Sequence, residues 1–301
     1  MSKTNEDVLL IAKKYGLQLL KETLIYNESG LDFQVVYATD LNGKEWVLRF
    51  PRREDVMMGT EKEKKVLDLV NSYIDFEAPK WEIYEEDLIA YEKLSGVPMG
   101  TVDHEIQNYR YEVDVENLPQ RFFDSLGKML ANLHRLPQDL IKEAGFSVLS
   151  ATEVREEMAQ RMNAVKEAFG VGHDLWTRWQ NWLANDALWP KKVGFIHGDF
   201  HPGHILINDN AEATGLIDWT EGRVSDFTND FTVFYKLLGD EGIERLIKAY
   251  EQAGGYVWPK MKEHIVELTA AWPLAIAEFA LKSQLEDYIQ YAKLELGVAE
   301  V

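Results

Sequence analysis

Residues 194–207 read GFIHGDFHPGHILI and gather three of the chain's seven histidines, His197, His201 and His204, around Asp199. A second carboxylate, Asp218, follows in ATGLIDW (213–219), a short apolar stretch like GHILIND (203–209). The intervening NDNAE consists of turn formers. Folded as a hairpin with Ile207 roughly opposite Thr214, these stretches put His204 opposite Ile217, and so beside Asp218 at one end. A neutral imidazole and a carboxylate so placed suit a divalent cation with positions left open for substrate. Asp199, five residues before His204, stands where it can accept a proton from a hydroxyl. The competing reading is structural, with aspartates capping turns and histidines bonded inside a core. The clustering at strand ends favours chemistry.

The elements that must hold these residues follow from local patterning. Thr4 and Asp7 have capping-box spacing, Val8, Ile11, Ala12 and Tyr15 share one face, and Gly16 ends a first helix. Residues 24–50 read as β, with DFQVVYAT and EWVLRF joined at Asn42-Gly43. A helix is predicted over 60–70, and WEIYEEDLIAYEKLSG gives two more strands turning at Glu86-Asp87. Helix, hairpin, helix and hairpin imply an antiparallel sheet with a helix packed on it. YRYEVDVENLPQ reads as a polar connection. Beyond it, helices are predicted over 120–135, 150–169 (on a Ser150/Glu153 capping box), 173–188, 227–239, 241–254 and 259–297. Trp176, Trp179 and Leu183 fall on one core-facing stripe. One β island, 193–219, interrupts this helical half.

The chain has 301 residues, 46% hydrophobic and 28% charged, which suits a globular protein with a full core. Its net charge of −19 disfavours non-specific nucleic-acid binding; simple solubility is the plain reading of that charge, and attraction of a cationic ligand the sharper one. With no cysteine, disulfides and thiolate zinc sites are excluded. No apolar run is read as approaching the roughly 18 residues of a membrane span, and the N-terminus does not read as a signal peptide. A cytoplasmic monomer, without nucleic-acid or membrane partners, is expected.

His-Gly-Asp, a ligand five residues on, and an apolar-Asp-Trp segment together resemble the aminoglycoside and macrolide phosphotransferases. HGDFHPGH, LIDWTEGRVSD, NESGLDF, WVLRFPRRED and GGYVWP, in that family's order, bring the chain closest to macrolide 2′-phosphotransferases over essentially its full length. The resemblance implies an α+β, protein-kinase-like bilobal fold. Residues 1–98 would form a nucleotide-binding lobe ending in a hinge, and 99–301 a helical lobe with the catalytic loop and macrolide pocket.

It further implies that Asp199 is the catalytic base, that His204 and Asp218 hold Mg²⁺, and that Arg49 neutralises donor phosphates with Glu63 as its ion-pair partner. Ser29 and Gly30 would cover the phosphates, although the usual glycine-rich loop is absent. The backbone around Glu92, Lys93 and Leu94 would read the purine of GTP, or of ATP. Asp226 and Asp230 would brace the catalytic loop. Phe200, His201, Phe234, Leu238, Trp272, Ile276 and Phe279 are candidates for the pocket of the macrolide substrate.

Three rivals are weaker. Kinases of the same fold for aminoglycosides or choline would want a richly acidic acceptor pocket, and the apolar C-terminal segments argue against one. GDFH matches the opening of metallophosphoesterase sites, but the Gly-Asn-His block they need is absent. A nucleotide-binding pseudokinase is disfavoured by the presence of Asp199, His204 and Asp218 together.

Overall fold

Helix α1 (Asn5–Lys14) starts on the expected capping box, with the Asp7 N–H donating to Thr4 Oγ1 at 3.3 Å and the Thr4 N–H to Asp7 Oδ2 at 2.9 Å. The structure is a computed structural model that describes residues 2–28, 32–53, 55–103 and 108–299. Strands β1 (Ile25–Asn27), β2 (Phe33–Thr39) and β3 (Glu45–Pro51) follow. Next come α2 (Val56–Asn71), which starts earlier than periodicity suggested, and β4 (Trp81–Glu85) and β5 (Leu88–Glu92). These five strands form one antiparallel sheet in the order β1-β2-β3-β5-β4.

Alternation along the strands sorts the side chains between two faces. Trp46, Leu48, Phe50, Leu88 and Ala90 pack with Val8 and Ala12 of α1 as a core. Val47, Arg49 and Tyr91 therefore point to the opposite face.

Strand β6 (Val97–Pro98) precedes a hairpin, β7 (Gly100–Asp103) with β8 (Asn108–Tyr111), in a region expected to be a plain connection. Its side-chain signal is a pair of rings. Tyr109 and Tyr111 stack at 5.8 Å, close over Gly100, where a Cβ would lie 3.0 Å from Tyr111.

The helices α3 (Gln120–His134), α4 (Gln138–Glu143), α5 (Ala151–Phe169, on the Ser150/Glu153 box) and α6 (His173–Ala184) come next. They are followed by β9 (Gly194–Ile196), β10 (Ile205–Ile207), β11 (Ala213–Leu216) and β12 (Arg223–Ser225). The predicted β10–β11 hairpin is present, with Ile205 opposite Leu216. Ile217 donates its N–H to the His204 carbonyl at 2.9 Å, so His204 does face Ile217. A bulge moves Ile207 opposite Ala213 rather than Thr214.

Helix α7 (Thr232–Gln252) is broken at Gly239 (φ 63°, ψ −162°), where the sequence reading also separated two helices. The expected single helix over 259–297 is instead three: α8 (Met261–Ala270), α9 (Trp272–Ser283) and α10 (Glu286–Glu295). Pro273 cannot continue the preceding helix, and Gln284 turns left-handed at φ 56°. Met261–Ser283 is long and apolar enough, by length and composition, to cross a membrane, contrary to the reading that no run came near. It is split between α8 and α9, and half of its apolar window is buried. Trp179, Trp182, Ile276 and Ala277 share one hydrophobic cluster, with Trp176 and Leu183 packed against it as the stripe predicted.

The α+β architecture is thus present, a five-stranded antiparallel sheet followed by a mostly helical remainder. Contacts gather the chain into two compact units, Met1–Glu112 with Pro202–Gly222, and Val113–His201 with Arg223–Val301. The sequence reading drew a single boundary at 98/99. Segment 202–222 joins the first unit because β10 pairs with β6 and Gly215 bridges to Glu77.

Candidate active site

The first unit holds a cavity of about 780 Å³. Its wall is the sheet face opposite α1: Val35 and Tyr37 from β2, Val47 and Arg49 from β3, and Tyr91 from β5. Registers Val35–Arg49 and Val47–Tyr91 set these side chains next to one another. Arg49 Nη1 bonds both Glu63 oxygens, at 2.9 and 3.2 Å. Its guanidinium lies over the ring of Phe33 (4.4 Å to the centroid) and near that of Trp81 (5.5 Å). Glu63, on α2, is 2% exposed, whereas Glu61, two residues before it, faces solvent. Burial pushes the Glu63 carboxyl up, and the Arg49 charge pulls back only part of that rise. Burial opposes the Arg49 charge, but Glu63 outweighs it and holds the guanidinium protonated.

Asp218 lines the same cavity and acts electrostatically on both partners. Its backbone is left-handed, φ 63°, a conformation aspartate tolerates better than most residues. The neighbouring Trp219 anchors it: wholly buried, it donates Nε1–H to the Leu216 carbonyl at 2.9 Å and stacks on Phe76. His204 Nε2 lies 3.7 Å from Asp218 Oδ2. Adjacent ligands of an octahedral ion, each about 2.1 Å from it, stand about 3 Å apart, so a small adjustment lets both take one cation. A carboxylate oxygen with an imidazole nitrogen is a donor set that fits a divalent ion.

The other predicted donor-side residues fare differently. Lys93 and Leu94 line the cavity, but Glu92 points away and pairs with Lys44 at 2.9 Å. The Lys93 N–H is already given to the Glu45 carbonyl at 2.9 Å, so it does not serve a purine. Ser29 and Gly30 lie outside the described residues; on either side, Arg52 binds Glu28 and Arg53 binds Asp32.

The second unit carries the His-Gly-Asp loop, which leaves β9 while β9 pairs with β12. Gly198 has φ +84°, so the loop's turn requires glycine. Asp230, wholly buried, accepts the His197 N–H at Oδ2 and the Gly198 N–H at Oδ1, both at 2.9 Å, and faces His134 Nε2 at 3.1 Å. Burial alone would raise its pKa; the hydrogen bond and field of His134, with the Gly198 amide, hold it below the usual carboxylate range. Asp230 is therefore the loop's brace. Asp226, by contrast, caps the 3₁₀ turn Phe227–Phe231 through Thr228 and meets His264 Nε2 at 2.5 Å.

The Asp199 side chain is 51% exposed, His201 Nε2 lies 3.8 Å from its Oδ2, and its N–H bonds His197 Nδ1 at 3.3 Å. Among the pocket candidates, Phe200 and Phe234 are buried against each other, ring centroids 5.7 Å apart, and Ile276 is buried in the helical core. These three are packing residues, correcting their reading as pocket walls. Leu238 is half-buried. Trp272 and Phe279 are about half exposed, with Lys236 over the Trp272 ring and Tyr288 against Phe279.

Sequence reasoning missed Phe33, Trp81, Tyr37 and Tyr91 around Arg49. Strand alternation signals Tyr37 and Tyr91, which both stand opposite Val47, whereas Phe33 stands opposite Pro51 and Trp81 opposite Tyr91. It also missed His134 and Tyr250, which contact the His-Gly-Asp loop's brace or its partner from distant helices.

Residues 23–264 match the phosphotransferase enzyme family. An uncharacterized protein of Bacillus subtilis (strain 168), YcbJ, is 40% identical over 303 residues, covering 99% of each chain. The apoenzyme structure of macrolide 2′-phosphotransferase MphH from Brachybacterium faecium is 32% identical, covers 98% of both chains and superposes with a TM-score of 0.91. A macrolide 2′-phosphotransferase type I is 34% identical over the whole of both chains, with a TM-score of 0.84. A GDP and kanamycin complex of an aminoglycoside phosphotransferase, at 18% identity and a TM-score of 0.71, shares the kinase-like fold.

Proposed function

Because this chain belongs to the phosphotransferase enzyme family, we propose that it moves the terminal phosphoryl group of a purine nucleoside triphosphate to the 2′-hydroxyl of a macrolide's amino sugar. GTP is the favoured donor, and antibiotic resistance in the cytoplasm is the consequence. The observation that carries the reading is Arg49, locked to buried Glu63, facing Asp218 across an apolar cavity of about 780 Å³. Full-length likeness to two macrolide 2′-phosphotransferases supports the acceptor.

Each part of the chain has a task in this reaction. Val35, Tyr37, Val47 and Tyr91 offer an apolar slot for a planar base. Arg49 donates to the donor phosphates while Glu63 fixes its direction. His204 and Asp218 would hold Mg²⁺, which when bound neutralises charge on phosphate oxygens. Asp199 accepts the proton of the sugar hydroxyl as that oxygen forms its bond to phosphorus and the bond to the bridging oxygen breaks, releasing the nucleoside diphosphate. Asp230 keeps the Asp199 loop in place. The net charge of −19 draws in the dimethylammonium of the sugar. The added phosphate brings about two negative charges to the drug, a change its ribosomal site would reject.

The test is phosphate transfer with purified protein, Mg²⁺ and GTP or ATP against erythromycin, kanamycin and choline. Erythromycin should gain one phosphoryl group, and Asp199→Ala should abolish the product. Transfer to kanamycin or choline alone would overturn the macrolide reading.

A further inference from the structure

We propose that His134 and Tyr250 are positioning residues for Asp199: with Asp230 they form a buried hydrogen-bond relay that fixes loop 197–199 and sets the rate of phosphoryl transfer. The proposal rests on the reading of Asp199 as the proton acceptor.

With a neutral imidazole at His134, the donors and acceptors fit a single assignment. Asp230 has no solvent exposure and takes three contacts, from the amides of His197 and Gly198 and from His134 Nε2. An ionised carboxylate only accepts, so His134 must carry its proton on Nε2. In the neutral ring Nδ1 is then an acceptor. It faces the Tyr250 hydroxyl at 3.1 Å, which must donate. Burial pushes the Tyr250 phenol up, so it keeps that proton, and the backbone N–H of Tyr256 serves its oxygen. At the other end, His197 Nδ1 accepts the Asp199 N–H at 3.3 Å. The relay therefore runs from the Tyr256 amide through Tyr250, His134 and Asp230 to the backbone that carries Asp199, all within the second unit.

The same geometry gives the GGYVWP segment a purpose. Tyr250 lies near the end of α7, and the chain turns back over its ring immediately afterwards. A Cβ on Gly255 would lie 2.4 Å from that ring, so only glycine lets the turn close on it. Phe231 meets the ring edge-on at 5.2 Å. The phenol is thus held against His134 by packing.

Removing the Tyr250 hydroxyl would leave His134 Nδ1 as a bare acceptor in a dry site. The ring would then be held at one nitrogen only, by Asp230, and could rotate away from it. The brace on His197 and Gly198 would loosen with no change in the packing around it.

Tyr250→Phe, His134→Gln and His134→Asn test this, read by steady-state kinetics, melting temperature and amide hydrogen exchange across residues 195–200. Tyr250→Phe should lower kcat about tenfold to a hundredfold, leave the nucleotide KM unchanged and speed exchange at 197–199. Glutamine can place an N–H where Nε2–H was and asparagine cannot, so His134→Gln should retain more activity than His134→Asn. Should one variant not fold, the others carry the test. Unchanged exchange in Tyr250→Phe overturns the relay. Faster exchange with unchanged kcat overturns the positioning role, as do activity losses that follow melting temperature alone. If the wild type phosphorylates no acceptor, the reading of Asp199 fails, while exchange still decides the relay.

Discussion

Arg49→Lys keeps the charge at the head of the cavity and changes only its shape. The guanidinium spends one nitrogen, Nη1, on both oxygens of Glu63 and lies flat over Phe33 and near Trp81. Its remaining N–H groups are what a donor phosphate would meet. A lysine ammonium that pairs with Glu63 has no second planar nitrogen to offer and stacks poorly. Losing the ring contact costs about 1 kcal/mol of stability. Losing one charge-assisted bond to phosphate costs about 2 kcal/mol in the transition state, or about thirtyfold in kcat/KM. Nucleotide saturation curves at fixed macrolide, with a melting curve for the same samples, measure both. A kcat/KM within twofold of wild type would refute the reasoning, because a point charge would then suffice. Glu63→Gln is the companion variant: Arg49 keeps its charge and loses its guide, so kcat/KM should fall although every atom that touches phosphate remains.

Other outcomes follow from the geometry. Asp226 and Asp230 are buried, which by itself would raise both; His264 and His134 lower them below the ordinary aspartate value of 3.8, so their stabilisation is full above it and lost as the pH falls through the folded values. Denaturant midpoints should therefore drop in acid, and Asp230→Asn should flatten that dependence. Gly198→Ala forces a side chain into φ +84°, costing about 1–2 kcal/mol in a melting experiment, and should lower kcat with the nucleotide KM kept. Ala211, in the β10–β11 turn at φ 59°, should accept glycine with a gain of about 0.5 kcal/mol, measured by chemical denaturation. A chelator should stop transfer, and His204→Asn, which exchanges imidazole for a harder oxygen donor, should lower the Mg²⁺ half-saturation relative to Mn²⁺.

What the sequence revealed was mostly local. The Thr4/Asp7 and Ser150/Glu153 caps involve residues three apart and are present. The facing of His204 and Ile217 followed from a short hairpin whose period leaves little freedom. Arg49 and Glu63 could be paired because a strand and the next helix bring them together.

The aromatic seat of Arg49 was hidden, since Phe33 and Trp81 reach it through the registers of separate strands. Residue type alone could not sort core from pocket, which is why Phe200, Phe234 and Ile276 were misjudged. Glu92 went astray by one step of strand alternation. Pro273 was visible as a helix breaker, but the apolar pattern ran through it. His134 and Tyr250 are separated by 116 residues, beyond any local pattern.

The pairing of β6 with β10 has a consequence for how such a protein can be cut or shuffled. His204 and Asp218 lie beyond residue 200, yet fold with the sheet that carries Arg49 and the helix that carries Glu63. A contiguous N-terminal fragment would inherit the arginine and lose His204 and Asp218, the proposed cation ligands. A graft that transplanted donor handling would need residues 202–222 as well, spliced in as an island. If the proposed function holds, the helical segments on either side of that island could drift in sequence and retune the acceptor, while the proposed donor residues stay together in one compact unit.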